Sequence, residues 1–261
     1  MQKKIKILKV KFDNTTLNEA SDKAIEWAKG NRKRHIVTPN PEILLESLNN
    51  HKFRKVLNSS DLSIPDGIGI LWASKYLKTK KLFRSLFAIP FFPKYIRTEL
   101  PERVTGTDLM QEICKKAADE PLKIFLLGAK EGVAEIVKDK LEKHYSGLKI
   151  TGTYAGTPSI EEEKEIREKI DKSKADILFM AYGAPKQEMW IARNLKKLKT
   201  VKVAAGVGGA FNFIAGRKKR APKLFQKLGL EWLVRLIQQP SRIKRIYNAV
   251  VKFPKKVISS S

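Results

Sequence analysis

From Leu122 onward, short apolar runs alternate with amphipathic stretches, and this alternation limits the fold more than any other feature of the chain. Leu122–Leu127, Lys149–Tyr154, Asp176–Ala181 and Val201–Ala205 read as strands. Val133–His144, Ile160–Lys172 and Lys186–Leu198 read as the helices between them. Apolar strands separated by helices call for a parallel sheet with helices on both faces, a Rossmann-like α/β arrangement. The first half extends the pattern. Strands are expected at Ile5–Val10, His35–Thr38 and Leu62–Ile64. Helices are expected at Thr16–Lys29 (Asn14 or Thr15 as cap), Glu42–Asn49, Ile68–Tyr76 and Thr107–Ala118.

With 261 residues, 42% of them hydrophobic, the chain can bury a sizeable core in one or two domains, which excludes general disorder. A lone cysteine, Cys114, excludes an internal disulfide framework or a cysteine-rich zinc site. His35, His51 and His144 are scattered, which argues against a His-based metal centre, and no cofactor is expected. The basic, alternating N-terminus lacks the apolar core of a signal peptide, and no run is long enough to span a bilayer. A cytoplasmic protein is the expectation.

The net charge of +26 asks for an anionic partner. It is concentrated: Arg217–Ser261 holds 13 Lys/Arg against one acid, Glu231. Apolar residues recur there at helical spacing (Leu224, Phe225, Leu228, Trp232, Leu233, Leu236, Ile237), and Pro240 separates a second set. Two basic amphipathic helices suit a membrane surface, and a helical lid on the sheet domain suits the same pattern. The boundary is drawn at 216/217, between an α/β domain and this appendage. A second basic stretch, about 79–100, is interleaved with aromatics. It reads as a membrane contact, a nucleic-acid surface or a loop whose aromatics fold back.

Ligands of parallel sheets lie beyond the carboxyl ends of the strands. The loops expected there are Thr38-Pro-Asn-Pro-Glu42, Pro65-Asp-Gly-Ile-Gly69, Gly128-Ala-Lys-Glu-Gly132, Gly183-Ala-Pro-Lys-Gln-Glu188 and Gly206-Val-Gly-Gly-Ala210. None is a dinucleotide or P-loop fingerprint. Together they favour a ligand site, with a nucleotide as the leading candidate.

These loops, with Arg103-Val-Thr-Gly-Thr-Asp108, Phe125-Leu-Leu-Gly128, the continuation to Met189-Trp-Ile191, Phe211, Arg220-Ala-Pro222 and Leu228-Gly-Leu-Glu-Trp-Leu233, stand in an order that resembles the WecG/TagA/CpsF glycosyltransferases. The match runs from about residue 5 to 250. It implies a metal-independent, inverting transfer from a UDP-sugar to a polyprenyl-diphosphate-linked N-acetylglucosamine. N-acetylmannosamine is the leading donor sugar, with teichoic acid as the polymer. It further implies peripheral association with the anionic inner face of the cell membrane, and an appendage that closes the site.

By the same resemblance Asp66 is the base, although Pro-Asp-Gly would equally cap the helix that follows. Thr38 and Asn40 line the pocket. Arg103 and Gln187 hold sugar or diphosphate oxygens, with a surface salt bridge and a helix-face amide as their plain alternatives. Arg235, Arg242 and Arg245 reach the diphosphate or lipid headgroups. Gly128, Gly183, Gly206, Gly208 and Gly209 allow close approach of the nucleotide. The chain departs from the family at Asn212, where Asp is usual, and in the length of the basic-aromatic stretch. A uronate or glucose donor, a nucleic-acid-binding role and a second copy of the chain as partner stay open.

Overall fold

The computed structural model describes residues 4–81, 93–97 and 99–260. Its centre is a six-stranded sheet built from β3 (Arg34–Val37), β4 (Leu62–Ser63), β5 (Lys123–Gly128), β6 (Lys149–Tyr154), β7 (Ile177–Ala181) and β8 (Val203–Gly206). The order is β4-β3-β8-β7-β5-β6 and every neighbouring pair is parallel. The expected parallel α/β fold is therefore the observed one.

Alternation along the strands feeds two layers. Ile124, Leu126, Ile177, Phe179, Val203 and Ala205 point to one face and pack with the Leu17–Lys29, Gly106–Ala117 and Val133–His144 helices. Phe125, Leu127, Leu178, Met180 and Ala204 point to the other, against the Glu163–Ser173 and Lys186–Asn194 helices. A further cluster gathers the N-terminal residues, the helices Pro41–Asn49, His51–Ser59 and Ile68–Thr79, and the end of the chain.

Several boundaries differ from the expectation. The strand expected at Ile5–Val10 folds in half: β1 (Ile5–Ile7) and β2 (Val10–Phe12) form an antiparallel hairpin. Leu8 and Lys9 turn at φ 44° and 69°. Folding back places Ile7, Val10 and Phe12, all fully buried, in one cluster. Thr16 caps the first helix, because Glu19 stands three residues on and closes a capping box with it. The helix at His51–Ser59, begun by an Asn50 cap, was not expected.

The appendage is more broken than two helices. It runs through Lys223–Lys227, Glu231–Gln238, a 3-10 turn at Pro240–Arg242, Ile243–Tyr247, a π-helical turn at Asn248–Lys252 and Phe253–Ser259. Phe253 and Val257 are fully buried with Leu44, Ile70 and Trp72, so the chain's end shares the core of the N-terminal half. Leu224, Ile237, Ile243 and Tyr247 stay exposed. Of the basic-aromatic stretch, residues 82–92 and 98 lie outside the described residues, and so does the membrane contact expected there.

Candidate active site

The loops after β3, β4, β7 and β8 open at the same end of the sheet, where β3 and β8 are neighbours although distant in sequence. They enclose a polar cavity of about 500 Å³ with Thr105–Thr107 and the appendage. A second cavity, of about 290 Å³, lies alongside and is mainly apolar, with Pro41, Ile68, Trp72, Trp232, Ile246 and Val250 in its walls. Asp66, Asn40, Glu42, Glu231, Arg235, Arg242 and Arg245 border both. Asp66 therefore stands where a polar and an apolar compartment meet.

Tertiary hydrogen bonds hold that position. Asp66 N donates to Pro39 O at 3.1 Å, and Val104 N donates to Pro65 O at 3.0 Å, so the turn is pinned from both sides. The following helix begins at Gly67, whose φ of 105° suits glycine, and no side chain caps it. The helix-cap alternative for Asp66 is thereby answered. Burial pushes the Asp66 carboxyl up to about 6, Arg103 and Arg235 pull it down, and Glu231 and Asp108 push it up again. A carboxyl tuned to that value is ionised at neutral pH yet can hold a proton it has taken.

Asn40 caps the Pro41–Asn49 helix, its Oδ1 accepting from Ile43 N at 3.0 Å. Buried Thr38 donates to Gly206 O at 3.5 Å and ties β3 to β8 beneath the cavity. Arg103 donates to Glu231 at 2.6 Å, and Arg235 occupies the other oxygen of that carboxylate at 2.6 Å. The salt bridge at Arg103 is thus real, but it is largely buried beside Asp66 rather than on the surface. Gln187 is buried, and its amide is engaged by Gly183, Gly208 and Glu188. Gly183, Gly208 and Gly209 line the polar cavity. Gly206 lies under Gln187, and Gly128 packs against Tyr182 outside both linings. Asn212 is likewise outside them, and its carbonyl accepts from Lys218 N.

Lys218, Arg235, Arg242 and Arg245 converge on the polar cavity. Burial, then Arg242, Arg245 and Arg235, holds the Lys218 ammonium below its ordinary range. Burial, then Arg245 and Arg235, lowers Arg242 likewise, with Glu42 pulling the other way. Crowding of like charge at that depth favours a multiply charged anion. Glu42, which accepts from Arg245 at 2.9 Å, and Glu231, which accepts from Arg235, offset part of it, and the carboxyl groups of Glu46 and Asp66 line the same cavity. On the rim, Arg220 forks onto Asp108 with a 2.6 Å contact and reaches Thr105 at 3.2 Å.

Sequence reasoning assigned no role to Glu231, Glu42, Lys218, Arg220 or Asp108. Glu231 carried a signal, as the single acid among the appendage's 13 cations. Arg220, Asp108 and Glu42 stood inside motifs already noted. Lys218 carried no signal.

The family model described as Glycosyl transferase WecG/TagA/CpsF matches residues 5–93 and 87–261. A relative from Bacillus spizizenii, named N-acetylglucosaminyldiphosphoundecaprenol N-acetyl-beta-D-mannosaminyltransferase, is 32% identical over 218 residues, covering 84% of this chain and 76% of that protein. One of the same name from Staphylococcus aureus strain MRSA252 is 32% identical over 245 residues, covering 93% and 88%.

Proposed function

The chain belongs to the WecG/TagA/CpsF family of glycosyltransferases, and from that footing we propose that it transfers N-acetylmannosamine to N-acetylglucosaminyl-diphosphoundecaprenol, as its relatives are named to do, with UDP-N-acetylmannosamine as the donor. The observation that carries the reading is the place of Asp66, between a polar cavity crowded with cations and an apolar one. A nucleotide sugar suits the first and the isoprenoid end of a lipid-linked acceptor suits the second.

In that reading Asp66 takes the proton from the acceptor hydroxyl as its oxygen attacks the anomeric carbon of the donor sugar. The bond from that carbon to the UDP oxygen breaks on the opposite face, which inverts the configuration. The departing diphosphate gains negative charge, and Lys218, Arg235, Arg242 and Arg245 face it. Direct displacement needs one base and no covalent intermediate, and one carboxyl of suitable affinity borders both cavities. Thr38 and the Asn40 cap keep the β3 loop in place, so the sugar meets a rigid wall.

The 217–261 appendage acts in the same reading as a lid and as the attachment to an anionic membrane surface on the cytoplasmic side. Exposed Leu224, Ile237, Ile243 and Tyr247 alternate with cations along it. Among the described residues no helix is long and apolar enough to cross a membrane. Teichoic-acid synthesis is the pathway that fits such a product. By charge alone a nucleic acid would also suit this segment, but the cations at 218, 235, 242 and 245 face the cavity.

The test is UDP release from purified protein given a short-chain polyprenyl-diphosphate-GlcNAc analogue with UDP-N-acetylmannosamine or UDP-glucose, with EDTA present. Release with the first donor alone is expected. Release with UDP-glucose alone would reject the donor assignment, and wild-type rates from an Asp66→Asn variant would reject the base.

A further inference from the structure

We propose that Glu188 is a positioning residue: it sets the amide of Gln187 so that a single oxygen clamps the loop after β7 to the loop after β8. The inference rests on the reading of the polar cavity as the donor pocket, because Gly183 and Gly208, the clamped residues, both line it.

Gln187 Oε1 accepts from Gly183 N at 2.9 Å and from Gly208 N at 3.2 Å. Its Nε2 donates to Glu188 Oε1 at 2.8 Å. Gln187 is 3% exposed and Glu188 1% exposed, so water does not compete for these groups. An amide has two nearly isosteric ends, and packing alone does not choose between them. Turned over, Gln187 would direct N–H groups at two backbone N–H donors and leave all three without acceptors. An acceptor on the far side of the amide is what selects the clamping orientation, and Glu188 supplies it.

Two further observations mark the arrangement as built. A Cβ at Gly206 would lie 2.4 Å from Gln187 Nε2, so glycine there clears the path by which the amide reaches both loops. The second oxygen of Glu188 is buried and has no hydrogen-bond partner among the described residues. A buried, half-satisfied carboxyl costs stability, and an apolar side chain of the same size would fold more easily. Its acceptor role toward Gln187 accounts for a carboxyl at this position. The oxygen facing Gln187 accepts whether or not the carboxyl is protonated, so the clamp operates across neutral pH.

The full chain labelled with ¹⁵N-glycine has 15 glycines, few enough for amide exchange to be read residue by residue. In Glu188→Met, as in Gln187→Ala, the amides of Gly183 and Gly208 are expected to exchange together, about ten-fold faster or more. Glu188→Gln keeps an acceptor and should retain protection. Gln187→Glu alone sets two carboxyl groups face to face and should lose it. Adding Glu188→Gln to that variant exchanges donor and acceptor between the two positions and should restore both signals, and this pair carries the test if Glu188→Met does not fold. Wild-type protection in Glu188→Met, or no recovery in the exchanged pair, would overturn the proposal.

In turnover, Glu188→Met should raise the KM for the nucleotide sugar about ten-fold, with kcat altered by about three-fold or less. An unmoved KM in a variant whose glycine amides have loosened would also overturn the positioning role. Wild-type protein that turns over no UDP-N-acetylmannosamine would instead sink the donor reading, while the glycine signals still judge the clamp.

Discussion

Arg103 donates to Glu231 at 2.6 Å across 128 positions of sequence, joining the segment that pins the Asp66 turn to the lone acid of the basic appendage. Glu231 also receives Arg235, so one carboxylate orders two of the cations that face Asp66. The appendage is thereby docked by an ion pair that is largely buried.

Replacing Glu231 by Gln leaves two guanidinium groups short of a partner. A loss of about 1–3 kcal/mol in chemical denaturation is expected at neutral pH. Its neighbours hold the Glu231 carboxyl below its ordinary 4.5 in the folded chain. The stabilisation is therefore present above about 4.5 and fades as pH falls through the lower folded value, so wild type and variant should converge in acid.

The Asp66→Asn variant should lose about 10²–10⁴-fold in kcat while keeping its circular dichroism spectrum. Its Tm should rise at pH 7–8. The folded carboxyl sits near 6, above its ordinary 3.8, so ionising it opposes folding, with the penalty starting above about 3.8 and complete above about 6. Near pH 4 the two melting temperatures should meet. A stable variant with undiminished turnover would remove Asp66 from the chemistry.

Plotted against pH, kcat/KM should rise through about 6 and then level off, as Asp66 becomes able to accept a proton. Glu231 pushes that value up and Arg235 pulls it down. The acid limb should therefore move to lower pH in Glu231→Gln and to higher pH in Arg235→Gln. Equal limbs in all three proteins would mean that a different group titrates.

Ile246 lines the apolar cavity and is half-buried, so a charge there spoils the lining without opening the core. Ile246→Asp should raise the KM for a long-chain polyprenyl acceptor about ten-fold, equivalent to about 1.4 kcal/mol. A water-soluble acceptor with a truncated chain should be affected far less. Equal effects on both acceptors would separate this cavity from the lipid.

Phe253 is fully buried between the appendage's last helix and the N-terminal helices. Phe253→Ala should cost about 3–5 kcal/mol. It should also expose the segment after Pro240 to limited proteolysis well before the sheet unfolds. Unchanged protease resistance would show that the remaining contacts, Arg103–Glu231 and Arg245–Glu42 among them, keep the appendage docked without this ring.

Local pattern was sufficient for the parallel sheet and for the loops that carry the site. Strand alternation, turn residues and helix caps act within a few positions, so the loops that hold Thr38, Asn40 and Asp66 could be placed after their strands, while the resemblance singled out those residues. The ordered motifs pointed to the family. Tertiary structure decided what each of these residues faces. That Asp66 borders two cavities and caps no helix follows from Pro39 and Val104 holding its turn. That Gln187 joins two loops, and that Glu42 answers Arg245 203 positions away, follows from β8 lying beside β3 and from the chain's end returning to the core. Charge and burial are sums over whatever the fold brings near, and in this chain the groups that tune the Asp66 carboxyl come from segments more than a hundred residues apart.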